Sequence, residues 1–523
     1  MTEKRWNQGD VRHLLPAANH NRIVLKCSLA TPRPSGVELV VAGRSVPGTR
    51  SDTAGQFWSF DVGDLESARQ YTLRLREGGR DLCDAWPLRT LPAPDADVST
   101  LRILTYTCGG GDENQHDDAG ERAFRSMAFR RRLLARALSF QPDVVIANGD
   151  HIYWDQRSGA GSFNKGWART WQRLYEKSPP LDRAVGMIGT SNEAALIALG
   201  ESQIAALYGV SLRSIPTFFI GDDHDYFEND EASERFVTFP PDGFMVRAKQ
   251  AVQRLFYPEL LPDQNRPLAL SGTRDDGLSE NFGTVRYGKL FEGLLYDCGQ
   301  WLDLKGTQAR IVPEEVESWL VRRTREGDTH HLLHVPSTPL GWSAGKWREW
   351  YPDVLVEDGA PAAAAGGAIG TVRAGKARLT ADRPKFLWQS GWFAQHQRLV
   401  AALSASTHRP ALMISGDLHA VGWEEMLGSG NVDMREHPVF TILSGPIGTS
   451  TLAFPSRARG TGALPPSTLQ VGRGTQPIEK NGFTIIEVTR EQMRFSLFGW
   501  REPQPESDLD TLQPFEVLRF PIA

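Results

Sequence analysis

Short apolar and polar stretches alternate from Asn21 to about Leu91: RIVLKCSL, VELVVAG, QFWSFDV and YTLRLRE, with polar turns such as PRPSG and SDTAG between them. No helical period intervenes, so this region predicts a small all-β sandwich. The alternation starting at Tyr71 suits a late strand with a tyrosine corner. Residues 1–20 show no such pattern and read as an irregular lead-in; LPAPDADVST (Leu91–Thr100) reads as a linker. From Leu101 the period changes. LRILTYTC predicts a strand, ERAFRSMAFRRRLLARALSF an amphipathic helix and DVVIAN a second strand. Together they form a βαβ unit, whose crossover is right-handed almost without exception.

Further on, NEAALIALGESQIAALYG and FMVRAKQAVQRLFYPELL carry helical patterns, and KLFEGLLYDC and THHLLHVP are strands flanking the helix EEVESWLVRRTRE. WFAQHQRLVAALSAS is a helix leading into the strand ALMISGD, and HPVFTILSG, GFTIIEVT, MRFSLFGW and EVLRFPI make the C-terminal part strand-rich. Residues 155–213 form a long insertion, of the kind that builds a lid or substrate wall at the carboxyl end of a sheet. Gly359–Gly375 is a low-complexity surface loop, and Arg457–Asn481, rich in Gly, Pro and Thr, is a long loop. The organisation predicted is a β-sandwich with lead-in over 1–95, then an α/β domain over 101–523.

Three predicted strands end alike. PDVVIANGDHIYWD, SIPTFFIGDDHDYFEND and RPALMISGDLHAVGWE each run from apolar residues into Gly, then Asp, with a His close behind. Open α/β sheets bind ligands outside the carboxyl ends of their strands. Collecting Asp and His at adjacent strand ends points to a metal centre. Asp150 is the leading candidate, with Gly149 letting the backbone turn beneath it; an N-cap or turn aspartate is the structural alternative.

Composition narrows the field. A length of 523 residues suggests two domains, and 40% hydrophobic content with 15 tryptophans suffices for a large core. A net charge of −5 gives no basic field for nucleic acid or anionic membranes. The basic run Arg130–Arg132 reads as a solvated helix face. Cys27, Cys83, Cys108 and Cys298 are scattered, without a CxxC pair. No secretory signal is visible and no run approaches the roughly 18 apolar residues of a membrane span. These features predict a soluble cytoplasmic protein, or a periplasmic one if a signal was trimmed.

The motifs Cys108, Gly149-Asp150-His151-Ile152-Tyr153, Asp222-Asp223-His224-Asp225 with Asn229, and Gly416-Asp417-Leu418-His419 resemble the calcineurin-like metallophosphoesterase superfamily. They are more similar to its alkaline phosphatase D (PhoD-like) branch. The resemblance covers roughly Leu101–Val488, and residues 21–91 resemble the small fibronectin-III-like sandwich preceding that catalytic domain. It implies a four-layer αββα sandwich and hydrolysis of phosphomonoesters or phosphodiesters by a metal-bound hydroxide. Small-molecule, lipid or nucleotide phosphoesters are the implied substrates.

By the same resemblance, Asp150 bridges two cations, which lie on the order of 3.5–4 Å apart in such sites. Cys108, with Tyr153 three residues after Asp150, would hold Fe(III), while Ca²⁺ takes hard oxygen ligands; Zn or Mn is the alternative pair. Asp223 stands at a metal-binding Asn position, and Asn229 would line the second metal or the phosphate. His224 stands at the catalytic His, with Asp225 orienting it. Asp417 and His419, on one face of an extended segment, would both be ligands. His151 reads as a packing residue beside the ligands, and His334 as either a ligand or a core histidine. Asp297-Cys-Gly-Gln departs from the branch, which tends to follow that Asp with an arginine; Arg310 or an arginine of 155–213 could supply the missing cation. Trp342, Trp347 and Trp350 could wall the pocket or fill the core. Two other functions remain: a non-catalytic binding protein on a degenerate fold, or a phosphotriester or phosphonate hydrolase.

Overall fold

The computed structural model describes residues 6, 9–114, 120–154, 181–226, 240–258, 260, 281–301, 303, 306–344, 354–357, 377–380, 382, 389–458 and 461–522. Asn229, Trp347, Trp350, the Gly359–Gly375 loop and the first part of the insertion lie outside them.

At the N-terminus a sheet ordered Val11–Ala18, Ile23–Leu29, Phe57–Val62, Thr49–Arg50 faces a second one built on Gln70–Glu77. Alternate residues such as Leu25, Cys27, Leu39, Trp58, Leu73 and Leu75 fill the space between them. The Tyr71 hydroxyl accepts the Glu66 N–H at 2.8 Å, the corner its pattern predicts. The lead-in is a correction. Val11–Ala18 is a strand, and all of it except Arg12 is buried. A strand covered on both faces has no alternation to read.

That strand also seats the sandwich on the rest of the chain. Leu14 N–H bonds Gly209 O at 2.9 Å, and His13 lies between Ser28 Oγ (2.6 Å) and Phe256 O (2.8 Å). Burial holds His13 neutral, its pKa pushed down to about 4, and burial pushes His334 and His396 down to about 3. In the unfolded chain these imidazoles titrate near 6.5. The unfolded state therefore binds more protons below that pH, so stability is full above it and falls as pH drops towards 4. We expect roughly 2 kcal/mol lost per buried histidine at pH 5 relative to pH 7. Thermal unfolding at the two pH values checks this; an unchanged midpoint would contradict it.

The larger part has two sheets face to face. One is ordered Thr217–Ile220, Val144–Asn148, Thr100–Tyr106, Asn481–Thr489, Gln492–Trp500, Pro514–Pro521, its first three strands parallel. The other runs Phe282–Tyr287, Phe291–Tyr296, His331–Pro336, Ala411–Ser415, Val439–Ser444, Val421–Ser429. Period two divides each strand between two cores. Ile103, Val144 and Ile146 meet Leu295, Val335 and Ile414 between the sheets. Leu104, Val145 and Ala147 instead pack outward, in the core that includes the helices Met127–Leu138, Glu314–Arg325 and Ser390–Ser404. This is an αββα sandwich.

Two further corrections follow from packing, and the insertion is placed by it. Arg457–Asn481 contains the strand Leu469–Ile478, paired to Val421–Ser429 with three register shifts. It is an edge strand with most side chains in solvent, so its apolar pattern is blank. The described part of the insertion forms the helix Ser191–Gly200, which packs on Gly243–Phe256 and bonds Thr53 of the sandwich through Glu193. The basic run is not one solvated face. Arg131 is exposed and the half-buried Arg132 pairs with Asp510, but Arg130 is fully buried. No helix among the described residues is long and apolar enough to cross a membrane.

Candidate metal centre

The parallel strands Thr100–Tyr106, Val144–Asn148 and Thr217–Ile220 run into Cys108, Asp150 and the Asp222–Asp225 segment, and Ala411–Ser415 of the facing sheet runs into Asp417 and His419. These side chains converge. Three triads have ligand atoms all within 4.8 Å of one another: Cys108, Asp150 and His419; Asp150, Asp223 and His224; Asp222, Asp223 and Asp417. Asp150 and Asp223 are shared, as a bridged centre requires.

The backbone is strained where the donors sit. Cys108 (φ 49°), Asp150 (φ 60°), Asp417 (φ 68°) and His419 (φ 50°) are all left-handed, a conformation that disfavours any residue with a Cβ. Such outliers persist when surrounding structure over-determines them, and they concentrate at functional sites. Two glycines let the loops meet. A Cβ on Gly149 (φ 84°) would lie 2.6 Å from Asp222 Cβ, and one on Gly416 would lie 2.3 Å from Thr107 Oγ1.

Asp150 is fully buried. Its Oδ2 accepts from Cys108 Sγ and the Tyr153 hydroxyl, both at 3.2 Å, while Oδ1 has no hydrogen-bond partner among the described residues. Burial, then the Asp223 carboxylate, drives its pKa well above the usual range, against the pull of His224. Burial and the neighbouring Asp150 raise the Cys108 thiol and the Tyr153 phenol in the same way. A cation among these groups reverses that balance, since a coordinated thiol or phenol loses its proton. Thiol, phenol, carboxylates and imidazole around an orphaned carboxylate oxygen are a donor set that fits metal ions.

His419 Nδ1 lies 2.7 Å from the Ala453 carbonyl. A carbonyl only accepts, so Nδ1 carries the proton and Nε2 the lone pair a metal needs. His224 lies on the 3-10 turn Asp223–Asp225, its ring 4.2 Å from the Tyr153 ring and its Nε2 3.9 Å from Asp223 Oδ2.

Asp225 has another task than the one expected. Its carboxylate accepts N–H groups from Asp150 (2.9 Å), His151 (2.8 Å), Ile152 (3.3 Å) and Asp222 (2.8 Å). It ties two donor-bearing loops together instead of orienting His224. His151 belongs to none of the triads; its Nε2 bonds Ile220 O at 2.9 Å and its ring packs on Phe219 and Tyr257. His334 is a core histidine, bonded to Thr324 Oγ1 at 2.9 Å. Trp342 packs with Leu418 and Ala420 on either side of His419, as core. Arg310 stands over the Trp301 ring, 5.9 Å from its centroid.

The residue missed is Asp222. Ser337 Oγ and Thr338 Oγ1 each donate to its Oδ1 at 2.9 Å, holding it against Asp223 and Asp417. Four consecutive polar residues on a tight turn leave spacing unable to choose among them. Asp297 lies behind this turn: Tyr226 hydroxyl and Gln300 N–H donate to it at 2.7 and 3.0 Å, and burial pushes its pKa up to about 6 against Lys249. Gln300 Oε1 accepts from Asn281 Nδ2 at 2.8 Å.

No known family model matches the sequence, and no curated protein matches it. The chain is similar to the solved structure of PhoD, with a TM-score of 0.61 and 14% identity, over 100% of this chain and 92% of that one. Similarities to an amylomaltase from Corynebacterium glutamicum (TM-score 0.13, 13% identity, 29% of this chain and 23% of that one) and to β-glucuronidase 3 of Bacteroides uniformis (TM-score 0.21, 9% identity, 98% and 63%) are too slight to carry an argument. The fold is PhoD-like.

Proposed function

We propose, on the premise of that PhoD-like fold, that the chain is a metal-dependent hydrolase of phosphoesters. The observation that carries the reading is the set of three overlapping triads, with four of their donors held left-handed. Cys108, Tyr153, Asp150 and His419 would hold Fe(III); Asp150, Asp223, Asp222 and Asp417 would hold Ca²⁺, with Asn229 a further candidate. The cations would supply an activated water and neutralise charge on the phosphoryl oxygens.

The chain's own residues do the rest. In an in-line displacement a new P–O bond forms as the bond to the departing oxygen breaks, and that oxygen needs a proton. His224, on the turn beside Asp150 and Asp223, would donate it as an imidazolium from a ring N–H and remain in place as neutral imidazole. The Tyr153 ring, 4.2 Å away and tilted by 36°, packs against the imidazole and limits its orientation. Asp225 keeps the Asp150 and Asp222 loops in register. No nucleophilic side chain is required. Residues 101–523 form the catalytic unit in this reading, and 1–95 a support seated through His13.

The test is elemental analysis and a visible spectrum of purified protein, with chromogenic phosphate mono-, di- and triesters assayed after reconstitution with iron and calcium. Bound iron with a charge-transfer band and turnover of a mono- or diester is expected. Turnover confined to triesters or phosphonates would move the reading to that class. Tight metal binding without turnover would make the chain a binding protein.

A further inference from the structure

We infer that Arg130, with Phe124, positions the two electron-rich donors of the centre, acting through the Gly110–Gly111 backbone on Cys108 and through the Phe124 ring on Tyr153. This rests on the proposed reading of the centre.

Arg130 lies on the inner face of the helix Met127–Leu138 and is fully buried. Its Nε donates to Arg125 O at 2.8 Å, Nη1 to Gly110 O at 2.9 Å and Nη2 to Gly111 O at 2.7 Å. Among the described residues no carboxylate forms an ion pair with it, and Glu113 and Asp112 favour its charge only through space. A buried guanidinium without a directly bonded carboxylate is expensive for a fold to keep, and an apolar side chain would fill the space at less cost. What only arginine supplies is a planar fork of donors that grips several carbonyls at once.

Two of those carbonyls, of Gly110 and Gly111, belong to the loop that leaves Cys108. Gly110 and Gly111 carry no side chains, and their surroundings leave no room for any. A Cβ on Gly110 would lie 2.9 Å from Arg130 Cζ, and one on Gly111 would lie 2.6 Å from Phe124 Cε2. The loop is therefore held from outside, by Arg130 and Phe124. Its inner end is Cys108, whose N–H bonds Gly149 O at 3.2 Å and whose carbonyl accepts from Gly448 at 3.0 Å. Phe124 links the second donor. Its ring lies 5.9 Å from the Arg130 guanidinium and 4.7 Å from the Tyr153 ring. One buried cation thus supports both Cys108 and Tyr153, and through Tyr153 the His224 ring packed against it.

The test compares Arg130→Lys and Phe124→Leu with wild type, and with Arg132→Lys as a control on the exposed face of the same helix. Two readouts are used: iron retention against a chelator with the position of the visible band, and the alkylation rate of Cys108 in metal-free protein, followed by mass spectrometry. Lysine keeps the charge but cannot fork across three carbonyls, so about 10- to 100-fold weaker iron retention and a displaced band are expected. Cys108 should also alkylate faster in the metal-free variant. Phe124→Leu should shift the band in the same direction, and it decides the matter if Arg130→Lys does not fold. Folded variants with wild-type retention, band and alkylation rate would overturn the inference. Should wild type itself take up no iron, the reading of the centre fails, and the alkylation rates alone still decide whether Arg130 positions Cys108.

Discussion

Asp150→Asn is expected to abolish hydrolysis and, in metal-free protein, to raise the melting temperature. Both effects come from one arrangement. Asp150 is shared by two triads, so its loss removes a ligand from both parts of the centre. A fall in kcat on the order of 10²–10³-fold or more is expected from losing such an electrostatic anchor. Without cations, the same carboxyl is buried among Asp223, Asp225 and Asp417, which repel its charged form. Asparagine keeps the shape and removes the charge. We expect a gain of ~1–3 kcal/mol, the scale of close charge pairs in a partly screened interior. Metal content, turnover and thermal unfolding of the metal-free variant check it. A variant that still turns over, or that melts lower without metal, removes Asp150 from the bridging role.

Asp225→Asn is expected to do the opposite to stability. Its two oxygens receive four backbone N–H groups, three of them from the Asp150–Ile152 turn. Bonds to a charged acceptor are worth about 1.5–3 kcal/mol each, though not additively. An amide offers one oxygen, and its NH₂ would face N–H donors. A loss of ~3–5 kcal/mol is expected, with and without metal, and activity should fall because the two loops drift apart. Thermal unfolding of the metal-free proteins separates the two aspartates: one substitution raises the midpoint and the other lowers it. If both move it in the same direction, the division between ligand and loop tie is wrong.

The contrast between these two residues shows how far the chain can be read without coordinates. Asp150, after an apolar run and a glycine, announces a strand end, because period and punctuation are local properties. The Asp222–Asp225 tetrad announces acids at a strand end, but not their separate tasks. On a 3-10 turn successive side chains point in different directions, so Asp222 and Asp223 face Asp417 while Asp225 turns back to backbone N–H groups. Arg130 has the same problem at a larger scale. Its helix carries three consecutive arginines, and only the packing against Gly110, Gly111 and Arg125 decides that the first goes inward.

By itself, the sequence determined the β-rich start, the βαβ entry and the three strand ends that carry Asp and His. Each depends on the order of neighbouring residues, which hydrophobic burial and glycine turns translate directly into local structure. The tertiary structure alone decided that Val11–Ala18 is a buried strand, that Leu469–Ile478 closes a sheet edge, that Asp222 joins the donors and that Asp225 and Arg130 hold backbone instead. These outcomes depend on partners far away in the chain. A carboxylate or a guanidinium has the same composition whether it meets a cation, a peptide N–H or a carbonyl, and only the fold determines which of these it meets.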